Sequence, residues 1–81
     1  MPDGTIEVEY CGRLSTVFGP RARLDLPEGV DTVTALRAYL DQDGQLAHPS
    51  VRAVVNDAVV TDVHPVQGGD RVAFLPPVGG G

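Results

Sequence analysis

Three consecutive glycines, Gly79, Gly80 and Gly81, stand at the end of the sequence and are the residues best suited to a chemical role. Because glycine has no side chain, such a run can thread a narrow channel into the active site of another protein. The reactive group would then be the α-carboxylate of Gly81. A carboxylate is a poor electrophile, so we expect it to be activated first, most simply as a mixed anhydride with phosphate. A sulfur nucleophile could then displace the phosphate and leave a thiocarboxylate.

A glycine-rich end is by default a frayed terminus without any role, because glycine buries no apolar surface. Two neighbouring features favour a function instead. The glycines follow an apolar segment, residues 71–75, and the Pro76-Pro77 pair, which restricts the direction in which the chain leaves that segment. The tail would then be a tethered substrate, and the rest of the chain would position it and raise its effective concentration at the enzyme. The catalytic groups and the metal would belong to an activating enzyme.

The other chemically capable residues form no recognisable site. The sequence shows no nucleophile–base pair, no phosphate-binding loop and no paired catalytic carboxylates, so we expect no enzymatic activity of its own. Cys11 stands alone and is more often structural than a sulfur relay in such a setting. His48 and His64 each precede a proline in a turn, and their spacing carries no metal signature. We therefore predict no metal site and no bound cofactor.

Composition limits the possible partners. The chain has 81 residues, enough for one small domain, and a formal net charge of -5, which disfavours nucleic acid and anionic membranes and favours a partner with a basic docking face. All six basic residues are arginine, so no lysine is available for an isopeptide bond. No apolar run could cross a bilayer, and residues 1–4 lack the features of a signal peptide, so we expect a cytoplasmic protein.

The elements that must position the tail follow from residue periodicity. Ile6, Val8 and Tyr10 alternate with polar residues, which predicts a strand with one buried face. A loop is predicted over residues 12–19, anchored by Leu14, Val17 and Phe18. Further strands are predicted over residues 22–26, 51–55, 58–61 and 71–75.

One main helix is predicted to start after Thr32, whose hydroxyl can cap the first turn. Val33, Leu36 and Leu40 form its apolar stripe, flanked by Ala35 and Tyr39, and Gly44 is the expected C-cap. The element order predicts an α+β domain of the β-grasp type, a mixed sheet of four to five strands with the helix on one face. This domain would span residues 1–78, and residues 79–81 would form a flexible tail.

The segment from Asp70 to Gly81 resembles the C-terminus of the small subunit of molybdopterin synthase, with Gly69-Asp70, a Val-Ala-Phe strand, Pro76-Pro77 and the glycines in order. Val54-Val55-Asn56 resembles the strand-to-turn step of that family, and residues 32–36 resemble its helix start. The resemblance covers nearly the whole chain from Ile6 onward. The C-terminal motif is typical of the ubiquitin-like sulfur carrier superfamily as a whole.

The resemblance implies that an activating enzyme related to the ubiquitin-activating type adenylates Gly81, using ATP and magnesium. A sulfurtransferase or cysteine desulfurase would supply the sulfur, and the thiocarboxylate would enter a large catalytic subunit. Gly80 and Gly81 would be the functional pair, with Gly79 completing the tail that threads the partner's active site. The partner docking surface would comprise Val59, Ala73, Leu75, Pro76 and Pro77.

Other functions remain open. Carriers for thiamin, cysteine or a sulfur-containing secondary metabolite share the fold and the Gly-Gly end. A ubiquitin-like modifier, with Gly81 linked to lysines of target proteins, and a plain interaction module with an inert tail are further alternatives. The outer face of the first strand, with Glu7, Glu9 and Cys11, departs from the apolar face common in the family and leaves the identity of the partner open.

Overall fold

The computed structural model of the chain describes residues 4–41, 44–48 and 50–76. These residues form, in chain order, β1 (Thr5–Tyr10), α1 (Leu14–Phe18), β2 (Arg21–Asp25), α2 (Val33–Leu40), β3 (Arg52–Val55), β4 (Ala58–Val60) and β5 (Arg71–Leu75). Neither helix is long and apolar enough, within this part of the chain, to cross a lipid bilayer.

The strands form one mixed sheet in the order β2-β1-β5-β3-β4. β5 is the central strand, parallel to β1 and antiparallel to β3. Parallel neighbours cannot be joined by a tight turn, so the chain between β1 and β5 must cross over, and α2 lies in that crossover. The five-strand mixed sheet confirms the predicted β-grasp class.

The core lies between the sheet and α2. Alternate residues of the two central parallel strands are buried, as period 2 requires. α2 contributes Val33 and Leu36, both fully buried, and Leu40 packs against the same cluster. Tyr39, expected beside this stripe, is 55% exposed. The strand residues of the core are Ile6, Val8, Tyr10, Ala53, Val55, Val72 and Phe74.

The ends of α2 are set by two polar side chains. Thr32 is the N-cap, and its Oγ1 accepts a hydrogen bond of 3.2 Å from the backbone N–H of Ala35, as predicted. The predicted C-cap, Gly44, is wrong, because the helix already ends at Leu40 and its C-cap is Asp41, whose backbone is extended. The Asp41 carboxylate accepts from the backbone N–H of Leu46 at 2.7 Å and so organises the turn that follows.

The predicted loop over residues 12–19 contains the short helix α1. Leu14 is buried, and the Phe18 ring stacks on Tyr10 with a centroid distance of 4.7 Å. These two contacts confirm Leu14 and Phe18 as anchors. Val17 is 46% exposed, so its assignment as an anchor is wrong. Leu14 and Phe18 are four residues apart and therefore lie on the same side of this short helix.

Arg37 is a buried charge that the periodicity does not predict. Its guanidinium donates to the carbonyl oxygens of Leu46 at 2.7 Å and Val51 at 2.5 Å, and from Nε to the Asp62 carboxylate at 3.1 Å. The same group lies 5.7 Å from the centroid of the Phe74 ring. Buried carbonyl groups need hydrogen-bond donors. Because Arg37 supplies these donors, its side chain connects α2 to the segment before β3 and to the loop after β4.

Candidate functional site

The central strand β5 leads directly to the tail. Val72 and Phe74 point into the core, whereas Ala73 and Leu75 are half-buried on the opposite face. The carbonyl of Phe74 accepts a hydrogen bond of 3.1 Å from the backbone N–H of Cys11. Pairing with β1 therefore continues beyond Tyr10, almost to the end of β5. The strand that precedes the tail is thus held on both sides up to its last residues.

A close contact between Gly12 and Pro76 marks the place where the chain leaves the sheet. Gly12 has a φ of +55°, and a Cβ built on it would lie 2.9 Å from Cγ and 3.6 Å from Cδ of Pro76. No residue with a side chain fits there without a shift of its neighbour. Sequence reasoning did not identify Gly12 as part of the site, because a glycine after a strand is usually only a turn residue.

The outer face of the sheet brings part of the predicted docking surface together. Ala73 on β5 is the Cα partner of Val54 on β3, and Val54 in turn is the partner of Val59 on β4. Val59 is 64% exposed. The three residues therefore form an apolar row across three strands, and Leu75 lies on the same face at the end of β5, directly before Pro76. Val54 was missed, although the strand register would have placed it between the other two.

The remaining predicted site residues are Pro77, Gly79, Gly80 and Gly81, and all four lie outside the described residues. The described residues therefore include the strand that precedes the tail and the surface beside that strand. The assignment of residues 1–78 to the domain and 79–81 to the tail remains a prediction for the same reason.

Charged residues surround the apolar row. On the side of β1 and β2, Arg23 lies 3.4 Å from the Glu7 carboxylate, and Glu9 is the Cα partner of Arg21. Arg71 at the start of β5 lies 3.2 Å from the carboxylate of Asp57. A shallow groove with both charged and apolar walls crosses this face. The mixed character expected from Glu7 and Glu9 is therefore present.

Cys11, directly before Gly12, is half-buried and has a free thiol. Burial, with a smaller contribution from the negative charge of Glu9, raises the pKa of this thiol above its ordinary value. The thiol is therefore protonated near neutral pH and is a weak nucleophile there. Among residues 4–41, 44–48 and 50–76, no three His, Cys, Asp or Glu side chains are grouped as metal ligands.

Known proteins share this architecture. A chain described as putative molybdopterin converting factor, subunit 1, from Pyrococcus furiosus has 24% sequence identity and a TM-score of 0.71, with 91% of this chain and 98% of that chain covered. The small archaeal modifier protein 1 of H. volcanii has 22% identity and a TM-score of 0.68, with 93% and 99% covered.

A third structure, the complex of subunits 1 and 2 of molybdopterin-converting factor from Helicobacter pylori 26695, contains a chain with 25% identity and a TM-score of 0.63, covering 95% of this chain and 99% of that one. A comparison with curated protein sequences gives no match. The model of the ThiS family matches residues 8–81, which include the whole sheet except the start of β1 and also the glycine run. The chain therefore belongs to the ThiS family, and with it to the superfamily of ubiquitin-like sulfur carriers.

Proposed function

We propose that this chain carries sulfur as a thiocarboxylate on Gly81 and donates it in the biosynthesis of molybdopterin, the organic part of the molybdenum cofactor. One observation carries the proposal. The strand that precedes the glycine run is the central strand of the sheet, fixed by β1 and β3, so the rigid domain delivers the tail at one defined point. A fixed exit followed by residues without side chains is what an enzyme channel needs in order to accept the tail.

The proposed chemistry is a sequence of three substitutions. In the first, a carboxylate oxygen of Gly81 attacks the α-phosphorus of ATP in the activating enzyme, and pyrophosphate leaves. In the second, the terminal sulfur of a persulfide on a sulfurtransferase or cysteine desulfurase attacks the acyl carbon, and AMP leaves. In the third, a thiol of the donor enzyme attacks the donor's sulfur in the resulting acyl disulfide, so that a disulfide forms on the donor and the thiocarboxylate is released on Gly81. ATP and magnesium are bound by the activating enzyme. The carrier contributes position and a high effective concentration rather than catalytic side chains.

The apolar row on the sheet is the proposed docking surface for the sulfur-accepting enzyme. Val59, Ala73, Leu75, Pro76 and Pro77 would contact a large catalytic subunit while the tail enters its active site. The similar chain from Helicobacter pylori 26695 was solved in a complex of subunits 1 and 2 of molybdopterin-converting factor, which supports a partner of this class. We place the carrier in the cytoplasm together with these enzymes.

Two alternatives share the same tail. Because the family match does not distinguish pathways, the sulfur could serve thiamin, cysteine or a secondary metabolite. The similarity to the H. volcanii small archaeal modifier protein 1 favours, as a second candidate, attachment of Gly81 to lysines of other proteins. The chain has no lysine of its own, so chains linked through its own side chains are excluded, whereas attachment to targets is not.

The intact mass of the protein purified from its native host tests the proposal. One oxygen replaced by sulfur, localised to Gly81, is the expected result. Larger species joined through a Gly81 isopeptide bond would establish the modifier instead. If the mass stays unchanged after the activating enzyme, ATP and a sulfur source are added, the carrier function is wrong. A neighbouring gene for a large synthase subunit would separate the molybdopterin pathway from the others.

Deletion of Gly80 and Gly81 provides the matched control. Because both residues follow the last strand, the truncated chain should fold with the melting temperature of the full chain and yet fail to become adenylated. A truncated chain that still restores growth to a null strain would contradict the carrier function and the modifier function alike.

A further inference from the structure

Exposed arginines lie at the end of the sheet from which the tail leaves. At the end where the tail leaves, Arg52 is the Cα partner of Leu75, the last residue of β5. Arg13 follows Gly12, whose Cα faces the ring of Pro76. Two exposed arginines therefore flank the exit of the tail from different sides, one from the start of β3 and one from the turn after β1.

The opposite end of the sheet carries three aspartates, one of which is paired with Arg71. Asp25 is the partner of Thr5 at the start of β1, Asp57 follows β3, and Asp70 directly precedes β5. The net charge of the chain is -5, so the two exposed arginines beside the exit of the tail differ in sign from the chain as a whole.

Among the described residues, Arg13, Arg52 and also Arg21, on the edge strand β2, form no ion pair, whereas the other three arginines do. Arg23 and Arg71 form ion pairs with Glu7 and Asp57. Within the part of the chain that the structure describes, neither Arg13 nor Arg52 has a carboxylate within ion-pair distance. The Asp62 carboxylate, on the loop after β4, is already bonded to Arg37. As far as the described residues go, no carboxylate of the chain competes with an external partner for these two guanidinium groups.

Resting on the proposed function, we propose that Arg13 and Arg52 form a basic collar that binds Asp or Glu side chains on the rim of the channel through which the activating enzyme admits the tail. Any enzyme that uses Gly81 must bring the mouth of its channel to the end of β5, so the collar faces that rim. Guanidinium groups bind carboxylates through paired hydrogen bonds and steer the approach of opposite charge.

The length of the tail indicates that the collar contacts the rim of the channel and not the bound nucleotide. Five residues follow Pro76. When they are extended, they span about 17 Å, because an extended chain advances by about 3.5 Å per residue. The collar therefore lies too far from Gly81 to contact the phosphates of ATP. Its partner groups are carboxylates at the entrance of the channel. The net charge favours basic residues elsewhere on the partner, outside this entrance.

The test measures adenylation as ATP–pyrophosphate exchange, with the activating enzyme encoded in the same genome and the full-length chain as substrate. The variant Arg13→Gln/Arg52→Gln removes the collar and keeps most of each side chain. Its matched control, Arg21→Gln/Arg23→Gln, removes the same charge from the edge strand β2. We expect the collar variant to raise KM about tenfold at low salt with kcat unchanged, since each exposed pair contributes a factor of about 2 to 5.

Salt provides an independent readout. The kcat/KM of the wild-type chain should fall as salt is added, and that of the collar variant should fall less steeply. An unchanged KM for the collar variant, or an equal rise for the β2 control, would overturn the collar, because the effect would then be absent or due to net charge alone. If the wild-type chain is not adenylated at all, the proposed function itself is wrong. The wild-type reaction therefore distinguishes failure of the proposed function from failure of the collar proposal.

Discussion

Replacing Gly12 by alanine tests whether the Gly12–Pro76 contact fixes the exit of the tail. The new Cβ would lie 2.9 Å from Pro76 Cγ, closer than carbon atoms approach without a shift of one of them. Because Cγ belongs to a closed ring, it cannot rotate away as the end of a flexible side chain can. Either the turn after β1 or the first residue after β5 must therefore move.

Two terms set the size of the effect. An L-residue in the left-handed region, where the φ of +55° places Gly12, costs about 1–2 kcal/mol, and overpacking costs about 1–3 kcal/mol. We therefore expect the free energy of unfolding to fall by about 3 kcal/mol, or roughly 12–24 °C in Tm for a domain of this size. If Pro76 moves part of the way, the overpacking cost is smaller, and the fall in Tm should lie near the lower end of this range.

Gly29→Ala is the matched control for backbone strain. Gly29 has a φ of +88°, and a Cβ built on it meets nothing within 4 Å. Its φ is farther from the left-handed optimum than that of Gly12, so its alanine variant carries at least as much strain without the steric clash. The difference between the two variants then measures the contact with Pro76.

Urea denaturation of Gly12→Ala, Gly29→Ala, Pro76→Ala and the Gly12→Ala/Pro76→Ala double variant completes the experiment. Removal of the ring should restore the part of the stability lost to the clash, giving a favourable coupling energy of about 1 kcal/mol or more. If Gly12→Ala is no more destabilising than Gly29→Ala, or if Pro76→Ala does not restore stability, then Gly12 does not brace the exit.

Three further predictions follow from single side chains. Arg37→Ala should lower the free energy of unfolding in urea by about 3–5 kcal/mol, because it leaves buried carbonyl groups unpaired, whereas Arg23→Ala at an exposed pair should change it by at most about 1 kcal/mol. The raised pKa of Cys11 should make its alkylation by iodoacetamide slow at neutral pH, and the alkylation rate should increase only at a higher pH than for free cysteine. Glu9→Gln should shift this pH–rate profile to lower pH. An unchanged profile would refute the contribution of Glu9. Leu75→Glu should weaken binding to the large subunit in titration calorimetry and leave Tm nearly unchanged, whereas an unfolded variant would mean that this side chain belongs to the core.

The strands could be predicted because burial in a sheet repeats every second residue. Ile6 and Val8 alternate with glutamates, and Val72 and Phe74 alternate with less buried residues, so one face of each strand is determined by the residue pattern. The helix start at Thr32 was predictable for a similar local reason, since a hydroxyl before an apolar stripe caps free amides. These features need no information from distant parts of the chain.

The features that were missed depend on distant residues. Arg37 lies on an amphipathic helix, where a charge ordinarily points to solvent, and its burial follows from carbonyl groups 9 and 14 residues further along the chain. The helix α1 is only five residues long, too short for a periodic pattern, and is held by Leu14 in the core and by Phe18 on the Tyr10 ring. In each case, packing set a structure that local preference alone leaves undecided.

The same distinction applies to the site. The tail is evident in the sequence because its chemistry lies in consecutive residues, whereas the direction in which it leaves depends on Gly12, 64 positions before Pro76. A tethered group is useful to an enzyme only if its tether starts from a fixed point, because the effective concentration of the group at a channel falls as the accessible volume grows. The pairing of Cys11 with Phe74 and the contact of Gly12 with Pro76 both restrict that starting point. In this fold, the precision needed for transfer of the terminal group therefore lies in the turn after the first strand as much as in the tail itself.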